Sequence, residues 1–153
     1  MNTNLYQEII AAHLPVVTVE DPGQCVSKYS PEEIRETIAK LVTEQRLDLA
    51  NALGQAGLAL YPQSEDILAI TGLLAMLRED WEESVSLLND LLVLQGESAP
   101  VTTHLMFVRA LRCALEPAAA LSAVMLAHEH YPNHPELERE FKAISAQLGI
   151  TTA

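Results

Sequence analysis

Aromatic side chains are scarce in this chain of 153 residues, at 5% of the total, although 49% of the residues are hydrophobic. Leucine and alanine must therefore supply most of the apolar core, and both favour helices over strands. A chain of this length can bury a sizeable core and is most simply one domain. The shortage of aromatics thus predicts an all-α protein.

Basic residues are also few, with 9 Lys and Arg against 21 Asp and Glu, for a formal charge of -12. Nucleic acids and anionic membrane surfaces are recognised by clustered Lys and Arg. The balance therefore predicts no nucleic-acid partner. It is compatible with a basic protein partner, although an acidic excess also serves solubility alone.

Cysteine is limited to Cys25 and Cys113, with no CxxC pair. Isolated thiols are typical of a reduced compartment, so we expect a cytoplasmic protein. The first residues lack a basic region followed by a long apolar run, and no later segment is long enough to cross a bilayer. We therefore expect neither a signal peptide nor a membrane span.

Signals of catalysis are missing as well. The six glycines are scattered, so no phosphate-binding loop forms, and no nucleophile stands in a recognisable turn. His128, His130 and His134 invite a metal interpretation, but Pro132 breaks the helix between the last two, and two imidazoles need further ligands. We expect surface histidines, no metal, no cofactor and no enzyme activity.

What the chain does contain is a repeat. Tyr61-Pro62 and Tyr131-Pro132 lie seventy residues apart, each ends a helix-like run, and Gln95-Gly96 falls halfway between them. The period of about 34 to 36 residues is that of helix-turn-helix solenoids. Such arrays are usually binding surfaces.

The helix signals divide the chain into three helix pairs and a C-terminal capping helix. Ser30-Pro31-Glu32-Glu33 is a capping box with proline at the first helical position. Residues 67–77 are apolar nearly all round, as in a helix buried on several sides. The predicted domains are a leader at 1–30, a repeat domain at 31–148 and a tail at 149–153. Breaks between helices are expected at 44–46, 78–80 and 116–117, helix starts at 98–100 and 134–136, and the end of the last helix at Gly149.

The leader allows two interpretations. Residues 3–13 could form a short helix and 14–20 an extended run before the Pro22-Gly23 turn. It is either a mobile leader or an arm that packs on the array or swaps into a neighbour.

Several spaced positions resemble the tetratricopeptide repeat (TPR). Small residues recur at Ala50, Ser84 and Ala120, and Asp80-Trp81-Glu82-Glu83-Ser84-Val85 is the most family-like stretch. Gly57 and Ala127 meet the later small position, but Leu91 fills it in the middle repeat. Gly72 alone meets the glycine of the first helix, and the large aromatic positions are mostly absent.

The resemblance implies a concave groove lined by the first helix of each pair. It would have an apolar floor with basic groups at both ends, and it suits an amphipathic helix or extended peptide with apolar anchors. Arg109 and Arg112 would favour an acidic group on that ligand. The alternative is that these residues are core or lie under the leader. The groove residues implied are Arg35, Ala39, Val42, Ala69, Leu73, Met76, Leu105, Arg109 and Arg112.

Two classes of function remain. The first is a TPR adaptor or chaperone that binds a protein or peptide partner. In its small size, acidic charge and degenerate repeats, the chain resembles bacterial TPR proteins of type III secretion, both the secretion chaperones and the Hrp-type group. The second is a structural or self-assembling subunit that uses its apolar surface as a homodimer interface.

Overall fold

A computed structural model describes residues 29–151, in which seven α-helices occur and no strand. The prediction of an all-α array with three helix pairs and a capping helix is confirmed. The predicted helix at 3–13 and extended run at 14–20 lie outside the described residues. The helices are α1 (Pro31–Thr43), α2 (Leu47–Leu60), α3 (Glu65–Leu77), α4 (Trp81–Gln95), α5 (Val101–Cys113), α6 (Pro117–His130) and α7 (Pro135–Gln147), with a 3-10 turn at Gly96–Ser98.

The seventy-residue spacing extends to every boundary of six helices. Helices α1, α2 and α3 begin and end at positions that recur seventy residues later in α5, α6 and α7. The connecting turns recur too. Gln45 and Leu115 both have a positive φ, of 59° and 62°, at the ends of α1 and α5. The same backbone frame is therefore built twice.

The tyrosine of each Tyr-Pro step forms a hydrogen bond, which explains why these steps recur at the ends of helix pairs. The Tyr61 hydroxyl donates to the backbone oxygen of Tyr29 at 2.8 Å, and the Tyr131 hydroxyl donates to that of Ala99 at 2.7 Å. Each bond ties the end of a second helix to the residues just before the first helix of its pair. In the middle pair Gln95 stands at this point, and the 3-10 turn follows it.

The N-terminal boundary of α1 is formed as predicted. The Ser30 hydroxyl accepts from the backbone N–H of Glu33 at 3.2 Å, and the Ser30 N–H donates to the Glu33 carboxylate at 2.9 Å. Two backbone donors at the helix start are satisfied by this exchange. The capping box is confirmed.

The described residues fall into two compact units, divided after Leu74. In the first unit α1, α2 and α3 enclose one apolar cluster. A Cβ on Gly54 would lie 3.1 Å from Thr71 Cγ2, and one on Gly57 would lie 3.2 Å from Ile67 Cδ1. The two glycines thus allow α2 to pack closely against α3. The cluster is Tyr29, Ile34, Ile38, Leu41, Ala50, Leu53, Ile67, Ile70 and Leu74.

The second unit has its own core, in which α5 and α6 are closed by α7. Leu137 and Ile144 of α7 are fully buried, while Glu138, Arg139 and Lys142 on its other side are exposed. This polar outer side suits a helix that ends a stack. The helices in residues 29–151 all fall short of the length and apolarity that a bilayer crossing requires.

Candidate partner-binding surface

The predicted groove of the first unit draws its residues from α1 and α3, two helices that an ion pair joins. We call it the α1–α3 face and define it by Arg35, Ala39 and Val42 of α1 with Ala69 and Leu73 of α3. The Arg35 Nε lies 3.2 Å from Asp66 Oδ1, and the two side chains are 42% and 43% exposed. This ion pair joins the two helices at one end of the face.

The α1–α3 face is apolar and accessible beyond the ion pair. Leu73 is 39% exposed and Ala39 is exposed, whereas Ala69 is half-buried and Val42 packs against the core cluster. Met76, one turn beyond Leu73 on α3, is half-buried.

The third set of predicted residues has different surroundings. Leu105 is 5% exposed and belongs to the core of the second unit. This placement gives it a packing role. Arg109 and Arg112 are half-buried, and both face carboxylates of α7.

These two arginines form a network with Glu136 and Glu140. Arg109 donates from Nε to Glu140 and from Nη2 to Glu136, each at 2.9 Å, and the Arg112 Nε lies 3.4 Å from Glu140 Oε2. The bond to Glu140 raises the pKa of the Arg109 guanidinium. The basic groups expected at this end of the groove are thus already neutralised by the chain itself.

The sequence alone does not reveal this network, because the helix pattern does not distinguish Glu136 and Glu140 from solvated carboxylates. Glu140 is only 7% exposed. Burying a charged carboxylate costs free energy, so buried carboxylates are paired with groups of opposite charge. The sequence gives one indication of the network, since Arg109 and Arg112 lie three positions apart on α5 and would both need carboxylate partners if buried. It does not show that α7 supplies those carboxylates.

A histidine cluster was also missed. His104 is 7% exposed, and its ring centroid lies 6.0 Å from those of both His130 and Tyr131. Burial, and secondarily His130, lower the pKa of His104. Among residues 29–151, no three His, Cys, Asp or Glu side chains are placed to hold a metal ion.

Comparison with known proteins supports the fold by shape alone. No family model matches the sequence, and no curated protein matches it. The first TPR of Spaghetti (RPAP3), bound to an HSP90 peptide, is similar with a TM-score of 0.69 and 16% identity, over 78% of this chain and 93% of that one.

Two further structures show the same likeness. YrrB, described as a TPR protein with an unusual peptide-binding site, has a TM-score of 0.68 and 17% identity, over 83% of this chain and 66% of its own. The Yersinia enterocolitica type III secretion chaperone SycD, in complex with a peptide of the translocator YopD, has a TM-score of 0.65 and 16% identity, over 76% and 93%.

The class of protein follows from these findings and from the repeated helix pairs. The chain is a TPR-type helical repeat protein in its fold.

Proposed function

We propose that this chain is a non-catalytic interaction module that holds a segment of another protein on the α1–α3 face. The observation that carries the proposal is Leu73, which is 39% exposed in a helix with no charged residue from Ile67 to Leu77. An exposed leucine flanked by small residues is a suitable apolar anchor site for an amphipathic helix or extended peptide.

Two of the similar structures hold peptides, the HSP90 peptide on the Spaghetti TPR and the YopD peptide on SycD, and YrrB has a peptide-binding site. These ligands belong to those proteins. They support peptide binding as the use of this fold, and the likeness to SycD supports a chaperone role in bacterial type III secretion as the more specific form of the proposal.

The basic ends of the predicted groove contribute less than the apolar floor. Arg35 shares its charge with Asp66, and Arg109 and Arg112 share theirs with Glu136 and Glu140. An acidic group on a partner would have to displace carboxylates that already occupy these positions. Affinity should therefore depend mainly on Leu73, Ala39 and Ala69.

The experiment compares two exposed leucines of the first unit. Leu73 on α3 and Leu47 on α2 are 39% and 41% exposed, so each can be changed to Glu at similar cost to folding. Partners captured from the native host are identified by mass spectrometry, and their affinities are measured with purified proteins. We expect Leu73→Glu to abolish binding, because it forces a charge against an apolar ligand, and Leu47→Glu to preserve it.

Retention of the partner by Leu73→Glu would show that the α1–α3 face is the wrong site. Equal loss in both variants would point to a general effect of added charge.

A self-assembling subunit is the second candidate. The observation in its favour is that Met125 and Leu126 on α6 are 55% and 53% exposed. Sedimentation over a range of concentrations distinguishes the two. A dimer that dissociates in Met125→Glu/Leu126→Glu supports assembly, and a monomer at every concentration removes it.

A further inference from the structure

A second surface lies wholly within residues 75–151. The turn between α3 and α4 and the turn between α5 and α6 enclose an open cleft of about 690 Å³, a volume within the range of ligand-binding clefts. We call it the two-turn cleft. It is lined by Arg78, Glu79, Asp80, Trp81, Glu82, Cys113, Ala114, Leu115 and Glu116.

Leu115 gives the cleft an apolar edge that the fold does not require. The side chain is 82% exposed, so it gains little from burial. Its φ of 62° lies in the left-handed region that favours glycine. At the matching turns after α1 and α3, this position holds the polar Gln45 and Glu79. Contact with a partner explains an exposed leucine here, since neither burial nor backbone preference does.

Trp81 adds an aromatic surface to the same cleft. It is half-buried at the start of α4, beside the turn that ends in Asp80. Tryptophan is the best aromatic surface for a cation, through attraction to the face of the indole ring. Aromatic side chains are also enriched in protein–protein interfaces.

The charge around these two side chains is one-sided. Glu79, Asp80, Glu82 and Glu116 line the cleft, and Arg78, the basic residue of the lining, pairs with Glu83. At the corresponding turn of the first unit, Arg46 stands where Glu116 stands here. The acidic character is therefore a property of this cleft and is not required by the repeat.

We propose that the two-turn cleft docks a basic segment of a partner protein. A Lys or Arg side chain lies against Trp81 among the carboxylates, and an apolar neighbour on the same segment contacts Leu115. The charge complementarity agrees with the net charge of -12. This site shares no residue with the α1–α3 face, so either proposal can fail without the other.

The test uses Trp81 as the probe, because it is the single tryptophan of the chain. The full chain is titrated with a synthetic peptide of alternating lysine and leucine, and tryptophan emission is followed. We expect a saturable change with a Kd on the order of 100 μM, because exposed ion pairs contribute little each. Added salt should weaken it. The same peptide with glutamate in place of lysine should produce no change.

Variants then locate the site. Glu82→Gln/Glu116→Gln should weaken binding about fivefold, while Glu97→Gln, which removes an exposed charge outside the lining, should leave it unchanged. Leu115→Gly should weaken binding to a similar degree without lowering the melting temperature, because glycine suits the left-handed turn. The Leu73→Glu variant should bind the basic peptide normally.

Three results of the peptide titrations would overturn the proposal. These are no saturable change with the basic peptide, equal weakening by Glu97→Gln, and no weakening by Leu115→Gly. A concentration-dependent dimer that Leu115→Gly dissociates would make a second copy of the chain the occupant, which also contradicts the proposal.

Discussion

The two units share one backbone frame but fill it with different chemistry. Seventy residues separate each pair of equivalent positions. Ala39 and Val42 of α1 correspond to Arg109 and Arg112 of α5, and the buried Ile70 of α3 corresponds to the buried Glu140 of α7. At these positions the residues of α1 and α3 are thus apolar, whereas the equivalent residues of α5 and α7 are charged and form ion pairs.

Repeat register therefore fixes helix bounds and turns, but it does not fix which ligand a surface can bind. In the first unit the α1–α3 face leaves Ala39 and Leu73 accessible. In the second unit the position equivalent to Ala39 holds a charged side chain, and Arg109 and Arg112 form ion pairs there with Glu136 and Glu140.

The largest effect is expected where the first unit packs most closely. Gly57 corresponds to Ala127, and a Cβ on Gly57 would lie 3.2 Å from Ile67 Cδ1 and 3.4 Å from Ile34 Cγ2. Gly57→Leu should overpack this contact and lower the free energy of unfolding by about 3 kcal/mol, measured by denaturant titration. Ala59→Leu, exposed on the same helix, is the control and should cost little.

We expect the ionic contact between α5 and α7 to tolerate apolar substitution only when Arg109, Arg112 and Glu140 are changed together. Glu140→Ile alone leaves Arg112 without its carboxylate and should cost about 2 kcal/mol, less than for a fully buried pair because the arginines are partly exposed. Arg109→Ala/Arg112→Val/Glu140→Ile copies the first unit and should restore stability to within about 1 kcal/mol of the parent, since buried ion pairs replaced by apolar residues are often neutral. A triple variant no more stable than Glu140→Ile would contradict the equivalence.

The tyrosine bonds should contribute equally in both units. Tyr61→Phe and Tyr131→Phe each remove one hydroxyl that donates to a backbone oxygen. Each should lower the free energy of unfolding by about 1 kcal/mol. A large difference between the two variants in thermal or chemical melts would show that the bonds are not equivalent.

Much of the frame could be predicted from the sequence, and the reason is local. The Ser30 capping box, the Tyr-Pro steps and the glycines of α2 each depend on a few neighbouring residues or on one short spacing. The arginine network could not be predicted, because Glu140 lies 31 residues after Arg109 and is identical in type to the solvated Glu138. Which lysine, arginine or glutamate is buried depends on packing between helices, and helix period alone does not show it.

The smallest expected effect is a pH dependence confined to the second unit. His104 occupies the position of Ile34, and burial lowers its pKa below the ordinary value of 6.5. Between that lowered pKa and 6.5 the unfolded chain binds a proton that the folded chain does not. Stability should therefore be full above pH 6.5 and decline as the pH falls below it.

His104→Ile, which copies the first unit, should remove this decline between pH 7.5 and about 5.5, as measured by urea titrations at a series of pH values. The half-buried His134 provides the control, and His134→Gln should leave the decline in place. An unchanged slope in His104→Ile would assign it to other groups.

The central claim, that a partner segment binds the first unit's open face and not its closed counterpart, is tested most directly by site-specific photo-crosslinking in the native host. A photoreactive phenylalanine analogue is placed at Leu73 or at the equivalent Ala143, which lie seventy residues apart on α3 and α7. The account predicts a covalent partner adduct from position 73 and none from position 143. An adduct from position 143 alone, or equal adducts from both, would contradict it.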